Sequence, residues 1–379
     1  METVKERDLD DIVEGKASRK GNKKKQKKSV WKRILKVILV LFIIGVATLA
    51  FLLYGPYHGF RDWLITSSMT TMTHQWIAEL FYSDETIEEV MSRNKVEEVK
   101  EDTDISAINT KNEEPKKEEV TYANEYEKQI LAKNLDKKEY DIYADEKDYR
   151  IINIKGKGYS GYLAVIYDAS KIKTLVTSRL GSCGQYLTTM AKNNNAVLAI
   201  NGGRFSDPGY SSNGANPRGV TYSNGVCKTS YSYRSTGGIV GFNKDNVLVL
   251  SSNCTKANAE KLKIRDCVTC GPFLIVNGKA SSVLGNGGWG KAPRTVLGQR
   301  KDGIVLMLVL DGRRVSMPGA DMDDLIKIMQ NYGAYNAANL DGGTSSVMAV
   351  NGELINDPID GAGRHKTRFI ATGFGLILD

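Results

Sequence analysis

The eighteen residues from Val37 to Tyr54 carry no charged side chain. A run of that length and character fits the hydrocarbon of a bilayer better than the core of a soluble domain. The flank before it is opposite in kind, with eleven Lys or Arg and no acid between Lys16 and Lys36. Positive residues beside an apolar span stay in the cytoplasm, so the pattern predicts a basic cytoplasmic tail over 1–36, a single transmembrane anchor over 37–57 and the bulk of the chain outside the cell. A cleaved signal peptide is the rival. The run ends in Phe51-Leu-Leu-Tyr54 with no small-x-small cleavage site, which favours an uncleaved signal-anchor. Residues 1–36 hold thirteen basic and six acidic side chains, leaving +1 of the +8 total for the other 343 residues. The basic balance therefore belongs to the tail, where it meets anionic lipid headgroups, and gives no support to nucleic-acid binding.

Two segments of different character follow. Residues 58–96 carry spaced apolar positions (Trp63, Leu64, Met69, Met72, Trp76, Ile77, Leu80, Phe81, Ile87, Val90, Met91). They read as one or two amphipathic helices near the membrane surface or against a partner chain, with Asp84 as a cap; a homo-oligomer through them is an option. Residues 97–121 are dominated by Glu, Asp, Lys and Asn, the composition of a solvated tether. A short helix over 122–137 leads into the domain that occupies 122–379.

From Ile151 onward, short apolar runs alternate with Gly, Asn and Asp turns, among them 162–167, 196–200, 238–242, 273–276, 295–299, 304–310, 346–350 and 369–376. These read as strands. Helices are expected at Tyr186–Lys192 and at Asp321–Asn331, the latter capped by Asp321 with Asp324 in its first turn. The predicted class is α+β, with mixed sheets, a few packed helices and polar stations converging at strand ends.

Those stations carry the chemistry. Asn339-Leu-Asp-Gly-Gly-Thr-Ser-Ser346 sets a carboxylate, Asp341, in a glycine-flanked turn behind an apolar strand, and Gly342, Gly343 and Ser345 let backbone and hydroxyl approach a ligand. An isolated Asp-Gly is more often a plain turn. Four further stations change that balance: Ala199-Ile-Asn-Gly-Gly-Arg-Phe205, Cys270-Gly-Pro-Phe-Leu-Ile-Val-Asn-Gly278, Ala292-Pro-Arg-Thr-Val-Leu-Gly298 and Leu308-Val-Leu-Asp-Gly-Arg313. In this order they resemble the phosphodiester glycosidase family over roughly 151–379. The resemblance implies a hydrolase that cleaves a sugar-1-phosphodiester at C1–O.

That reaction asks for two things: groups that hold phosphate, and a carboxylate beside C1 that stabilises an oxocarbenium-like transition state. Arginine suits the first because its planar fork pairs two phosphate oxygens. The resemblance points to Arg294, followed by Thr295, and to Arg368, and Arg313 follows the acid of its own station. For the second, Asp341 is the first candidate and Asp311 its support, as nucleophile or as the base that activates water; either could instead ligate a hard cation such as calcium. Asn201, Gly202, Gly203 and Asn339 are placed to meet sugar hydroxyls or an N-acetyl group. Where the family usually shows two aromatics after Asn-Gly-Gly, Arg204 precedes Phe205 here, which alters the pocket lining and adds a candidate phosphate contact.

Other signals recede on inspection. Gly285-Asn-Gly-Gly-Trp-Gly290 followed by Lys291 nearly spells a phosphate loop, but Ala292 stands where a hydroxyl should hold magnesium and Pro293 follows. A flexible flap, with Trp289 available to stack on a sugar, suits it better. Ser170-Lys-Ile-Lys173 looks like a strand edge. Of three histidines, His58 and His74 sit near the anchor, and His365 has no nucleophile elbow to serve. Five scattered cysteines read as structural, with Cys267-x-x-Cys270 short of a four-ligand zinc site. No cofactor is required by this chemistry and no metal ligand set is assigned. The expectation is an extracellular, membrane-anchored hydrolase of a phosphate-containing envelope polysaccharide or exopolysaccharide. A non-catalytic polysaccharide-binding module and a metal-dependent phosphodiesterase cutting P–O are the alternatives.

Overall fold

A computed structural model describes residues 7–71, 74–110, 121–206 and 213–378, with side chains of the first helix from Val30 onward. Met72 of the expected amphipathic set lies outside the described residues. The chain divides into two units, 1–64 and 65–379.

In the first unit one helix runs Arg7–Tyr54. Its stretch Val30–Tyr54 is long and apolar enough to cross a membrane; at about 1.5 Å per residue its 25 residues extend roughly 37 Å, beyond the ~30 Å of a hydrocarbon core. Its large apolar side chains, Leu41 and Phe42 among them, are exposed, as a lipid-facing surface requires. The helix ends where Gly55 donates to the Phe51 carbonyl at 2.8 Å and Pro56 follows, a residue that cannot continue the ladder.

The second unit is built around three large antiparallel sheets, with two two-stranded pairings beside them among the described residues. The largest has eight strands in the order Lys279–Ala280, Phe273–Val276, Ala334–Asn339, Arg294–Arg300, Val305–Asp311, Tyr159–Ile166, Tyr149–Gly156, Ile142–Asp145. One five-stranded sheet is ordered Glu353–Leu354, Met348–Val350, Ala196–Asn201, Thr372–Ile377, Ile172–Val176. The other is ordered Val226–Ser230, Val220–Ser223, Ile264–Cys270, Gly238–Asn243, Leu248–Ser251. The α+β class expected from the alternation of apolar runs and turns is the one the chain adopts.

Period-two side-chain alternation sets the layers. Ile151, Ala164, Leu297 and Met307 of the large sheet point into a shared central core with Leu198, Ile200 and Phe374 of one small sheet and Val240, Phe242 and Val268 of the other. Their neighbours Ile152, Leu163, Val296 and Leu306 face the opposite way, onto Leu325, Ile326 and Met329 of helix Met322–Asn331. Helix Leu187–Asn193 backs one small sheet through Leu187, Met190 and Ala191, and helix Lys256–Lys261 backs the other through Ala259. With both faces covered, strands such as Val305–Asp311 are buried throughout, which explains their unbroken apolar runs. Helix Met322–Asn331 begins in a capping box: Asp324 N donates to Asp321 Oδ1 at 3.0 Å and Asp321 N to Asp324 Oδ2 at 3.1 Å.

Two expectations change before the domain proper. Helix Asp84–Arg93 is capped by Ser83, whose hydroxyl accepts from Thr86 N at 3.4 Å, and Asp84 sits in the first turn, where a carboxylate meets the helix dipole. It buries Ile87 and Val90, whereas helix Gln75–Phe81 buries Ala78 and leaves Trp76 and Leu80 exposed. Residues 97–110 are not a solvated tether. Strand Lys95–Glu97 pairs with Ser282–Leu284, Thr103 and Leu250 exchange hydrogen bonds, and Asn109 N donates to Lys301 O at 2.8 Å. A polar segment can dock without burying much apolar surface when its backbone and side chains complete bonds that sheet edges leave open. Residues 111–120 of the expected tether lie outside the described residues. Thr103→Ala removes the acceptor for the buried Leu250 amide and is expected to cost about 1 kcal/mol in denaturant unfolding.

Candidate functional site

Antiparallel pairing gathers the polar stations at one end of the strands. Asn201 and Asn339 end strands Ala196–Asn201 and Ala334–Asn339, Asp311 ends Val305–Asp311, and Arg294 and Thr372 begin Arg294–Arg300 and Thr372–Ile377. Register places Arg294 opposite Leu310, Val296 opposite Asn339, and Gly373 opposite Asn201.

The loop after Asn339 is stitched to both sheets. Asp341 N donates to Gly202 O at 3.1 Å and Leu340 N to Thr295 O at 2.8 Å. Asn201 Nδ2 donates to Asp341 O at 2.7 Å, while Asn201 Oδ1 accepts from Thr295 Oγ1 at 2.7 Å and Val347 N at 3.2 Å. Asn201 and Thr295 are buried, so both hold the loop in place and are not presented to a sugar. Asn339 is buried as well, its Nδ2 donating to Gly271 O at 3.2 Å and Leu340 O at 2.9 Å. Glycine is needed at two points of this junction. A Cβ on Gly202 would stand 2.5 Å from Thr372 Oγ1, and Gly343 has φ +63°, with Arg313 Nη2 2.7 Å from where its Cβ would be. Gly203 N donates to Thr372 Oγ1 at 3.1 Å.

Asp341 keeps part of its surface open, yet protein surrounds it closely enough that burial pushes its carboxyl above the usual aspartate range. Arg368, the Ser345 hydroxyl, Arg204 and the Gly342 amide pull the other way by stabilising the charged form. Arg313 also feels Asp341, as well as Arg368 and Asp360, and its Nη1 donates to Thr344 Oγ1 at 2.5 Å and Ile359 O at 3.1 Å. One carboxylate thus shares its surroundings with three guanidinium groups, a balance that favours an anionic ligand.

The arginines are held in different ways. Arg368 lies over the Phe205 ring, 4.5 Å from its centroid. Arg204 lies 4.6 Å from the Trp289 centroid, with Nη2 donating to Gly271 O at 2.8 Å and Nη1 to Ser235 Oγ at 3.0 Å. Trp289 is therefore a platform for an arginine. Arg294 is buried: Nε donates to Ala320 O at 3.1 Å, and Nη2 to Trp289 O at 3.0 Å and Gly290 O at 2.5 Å. Burial lowers its pKa to about 10, so it stays charged at neutral pH. Its Nη1 lies beside Gly342, 3.6 Å from where a Cβ would stand, and faces the Asp341 loop. Arg294 is first a brace for the 289–290 turn and only through Nη1 a neighbour of the site.

Asp311 is buried and committed, accepting from Asn356 Nδ2 at 2.8 Å and Asp357 N at 3.1 Å. It holds the 356–357 loop, where the sequence had set it beside Asp341 as support for the chemistry. The 285–290 loop is anchored where a flexible flap was expected: Asn286 N donates to Asn94 Oδ1 at 3.0 Å and Gly288 N to Asn286 Oδ1 at 2.9 Å. Lys291 sits 3.1 Å from Asp321 and 3.0 Å from Asp324, occupied by the helix cap. His365 Nδ1 lies 2.7 Å from Asp357. The five cysteines are unlinked, and burial pushes the Cys270 thiol up to about 11. Among the described residues no three His, Cys, Asp or Glu side chains form a metal-binding group.

A cleft of about 510 Å³ opens at the other end of the same strands, by Arg300 and Ala334. Its Arg300 is paired with Asp302 at 2.8 Å and Glu127 at 3.6 Å, and Lys301 covers the Tyr335 ring. Its charges satisfy one another, unlike the cationic surroundings of Asp341.

Residues 194–377 match the phosphodiester glycosidase family model, a span that holds every site candidate from Asn201 to Arg368. This part of the chain resembles the phosphodiester glycosidase family. The SPbeta prophage-derived uncharacterized protein YomE of Bacillus subtilis is 30% identical over 207 residues, 52% of this chain and 31% of that protein. The chain thus spans about a third of that relative's length. Among solved structures, the catalytic domain of zebrafish N-acetylglucosamine-1-phosphodiester alpha-N-acetylglucosaminidase, auto-inhibited by its pro-peptide, superposes with a TM-score of 0.52 at 20% identity. The match covers 62% of this chain and 86% of that one, and at this identity the likeness is one of fold.

One residue that touches the site's surroundings lies outside the family-matched span and had no signal in the sequence. Glu98, from the expected tether, sends its carboxylate to Phe273 N at 2.5 Å and Gly237 N at 2.9 Å and feels Arg204. Only the Glu97-Glu98 pair in an acid-rich stretch precedes it, and that pattern points to solvent.

The charge around Asp341 makes a pH prediction. If catalysis needs the carboxylate ionised, the acid limb of the rate profile lies above the ordinary aspartate value of 3.8, because burial outweighs the guanidinium groups. Arg368→Leu removes a group that lowers this pKa, so the limb should move to still higher pH; a downward move would contradict the arrangement.

Proposed function

We propose that the chain is a membrane-anchored hydrolase that cleaves a sugar-1-phosphodiester between C1 and oxygen, acting outside the cell on a phosphate-containing envelope polysaccharide or exopolysaccharide. The observation that carries the reading is Asp341, a half-open carboxylate flanked by Arg204, Arg313 and Arg368. The match of residues 194–377 to the phosphodiester glycosidase family model and a fold shared with an enzyme named for N-acetylglucosamine-1-phosphodiester cleavage support it, and the span Val30–Tyr54 after a basic segment supports the anchor.

The geometry suits this bond. A phosphomonoester leaves readily once its charge is held, so the guanidinium groups serve as the phosphate cradle and no general acid is demanded. Glu98 and Asp311 have their oxygens committed to backbone amides or Asn356. Asp341 then faces the positive charge that develops at C1, and water completes the cleavage.

The test is to incubate the full-length chain in detergent with a synthetic N-acetylglucosamine phosphodiester and identify the products by mass spectrometry. Free sugar plus phosphomonoester, formed equally well with a chelator present, is the expected result. Sugar phosphate as product, lost with the chelator, would assign P–O phosphodiesterase chemistry. Binding without turnover would assign a polysaccharide-holding module.

A further inference from the structure

Arg204 rests between two supports, and one short segment outside the family-matched span holds both. Below the guanidinium is the Gly271 carbonyl, which accepts from Nη2. Gly237 and Phe273, on either side of that turn, donate their amides to the two oxygens of Glu98. Above the guanidinium is the Trp289 ring. The loop that carries Trp289 is pinned by Asn94 through the Asn286 amide, and strand Lys95–Glu97 pairs with Ser282–Leu284 just before it. Residues 94–98 thus brace the floor and the roof of one arginine that feels Asp341.

We propose that Glu98 is a positioning residue for the anion-binding site, fixing the 271–273 turn so that Arg204 is presented beside Asp341. The inference rests on the reading that this site receives phosphate. Glu98 carries negative charge toward an anion site, so acting through charge alone it would repel the ligand, and Glu98→Gln would tighten binding. A positioning role has the opposite sign. Glutamine can accept one amide but turns its NH₂ toward the other, and the turn gives way.

The experiment titrates inorganic phosphate into the full-length chain in detergent, comparing wild type, Glu98→Gln, Arg204→Ala and the double variant, with melting temperatures measured alongside. Glu98→Gln is expected to weaken phosphate binding about tenfold in the wild-type background and to add nothing once Arg204 is gone, the mark of residues acting as one unit. Should Glu98→Gln unfold, Glu98→Asp, which shortens the reach and keeps the charge, is read the same way. Unchanged or tighter binding, equal weakening in both backgrounds, or no phosphate binding by the wild type would overturn the proposal. The expected binding pattern without sugar release would defeat the hydrolase reading and leave this one standing.

Discussion

Asp341→Asn is expected to lower sugar release from a phosphodiester substrate by on the order of 10³-fold, the scale of losing a group that acts at the reacting centre. The change is nearly isosteric, and the loop it sits in is held by backbone bonds and by Asn201, none of which uses the Asp341 carboxylate. Folding should therefore survive, and the sign of the stability effect can be stated. Burial raises the folded-state pKa of Asp341, so its ionised form weakens the fold; this cost is absent below the ordinary value of 3.8 and complete once pH has risen through the raised one. At neutral pH the Asn variant should be as stable as the wild type or slightly more so. An inactive variant of unchanged stability separates chemistry from folding, whereas full activity would remove Asp341 from the reaction.

Arg294→Met should act in the opposite domain of behaviour, on stability first. The substitution leaves the carbonyls of Trp289 and Gly290 without the donor Arg294 supplies, while the Ala320 carbonyl loses one of its two donors and keeps the Ala292 amide. At about 1–3 kcal/mol for each of the two groups left unpaired, the expected loss is roughly 2–6 kcal/mol in denaturant unfolding. Activity should fall with it, because the displaced turn carries Trp289 and hence the stacking partner of Arg204. A stability loss below about 1 kcal/mol, with phosphate affinity abolished, would instead make Arg294 a direct phosphate ligand.

The difference between these two residues marks what local sequence can convey. The turn that carries Asp341 was legible because its geometry is local: an acid in a glycine-flanked turn after a strand, where positive φ at Gly343 and the close approach at Gly202 demand glycine. Strand alternation, the Asp321 cap and the long apolar helix were legible for the same reason, each being a pattern in consecutive residues. Arg294 was correctly placed at a strand end, but its three carbonyl acceptors come from a neighbouring turn and from residue 320, and no pattern in Ala-Pro-Arg-Thr tells a phosphate fork from a brace. The same holds for Asn201, whose amide is consumed by Asp341 O, Thr295 and Val347. Glu98 was least legible, since its partners lie 139 and 175 residues away and its own neighbourhood has the composition of a tether. Strand Lys95–Glu97 is too short for a period to register, and the apolar residues that dock with it, Val96, Val99 and Ile108, are too widely spaced to form a pattern.

The central claim is the bond that breaks. Hydrolysis of an N-acetylglucosamine phosphodiester in heavy-oxygen water tests it most directly, because the solvent oxygen ends on whichever atom was attacked. The account predicts the label in the hydroxyl at C1 of the released sugar and none in the phosphomonoester. Label in the phosphate group, with unlabelled sugar, would contradict it.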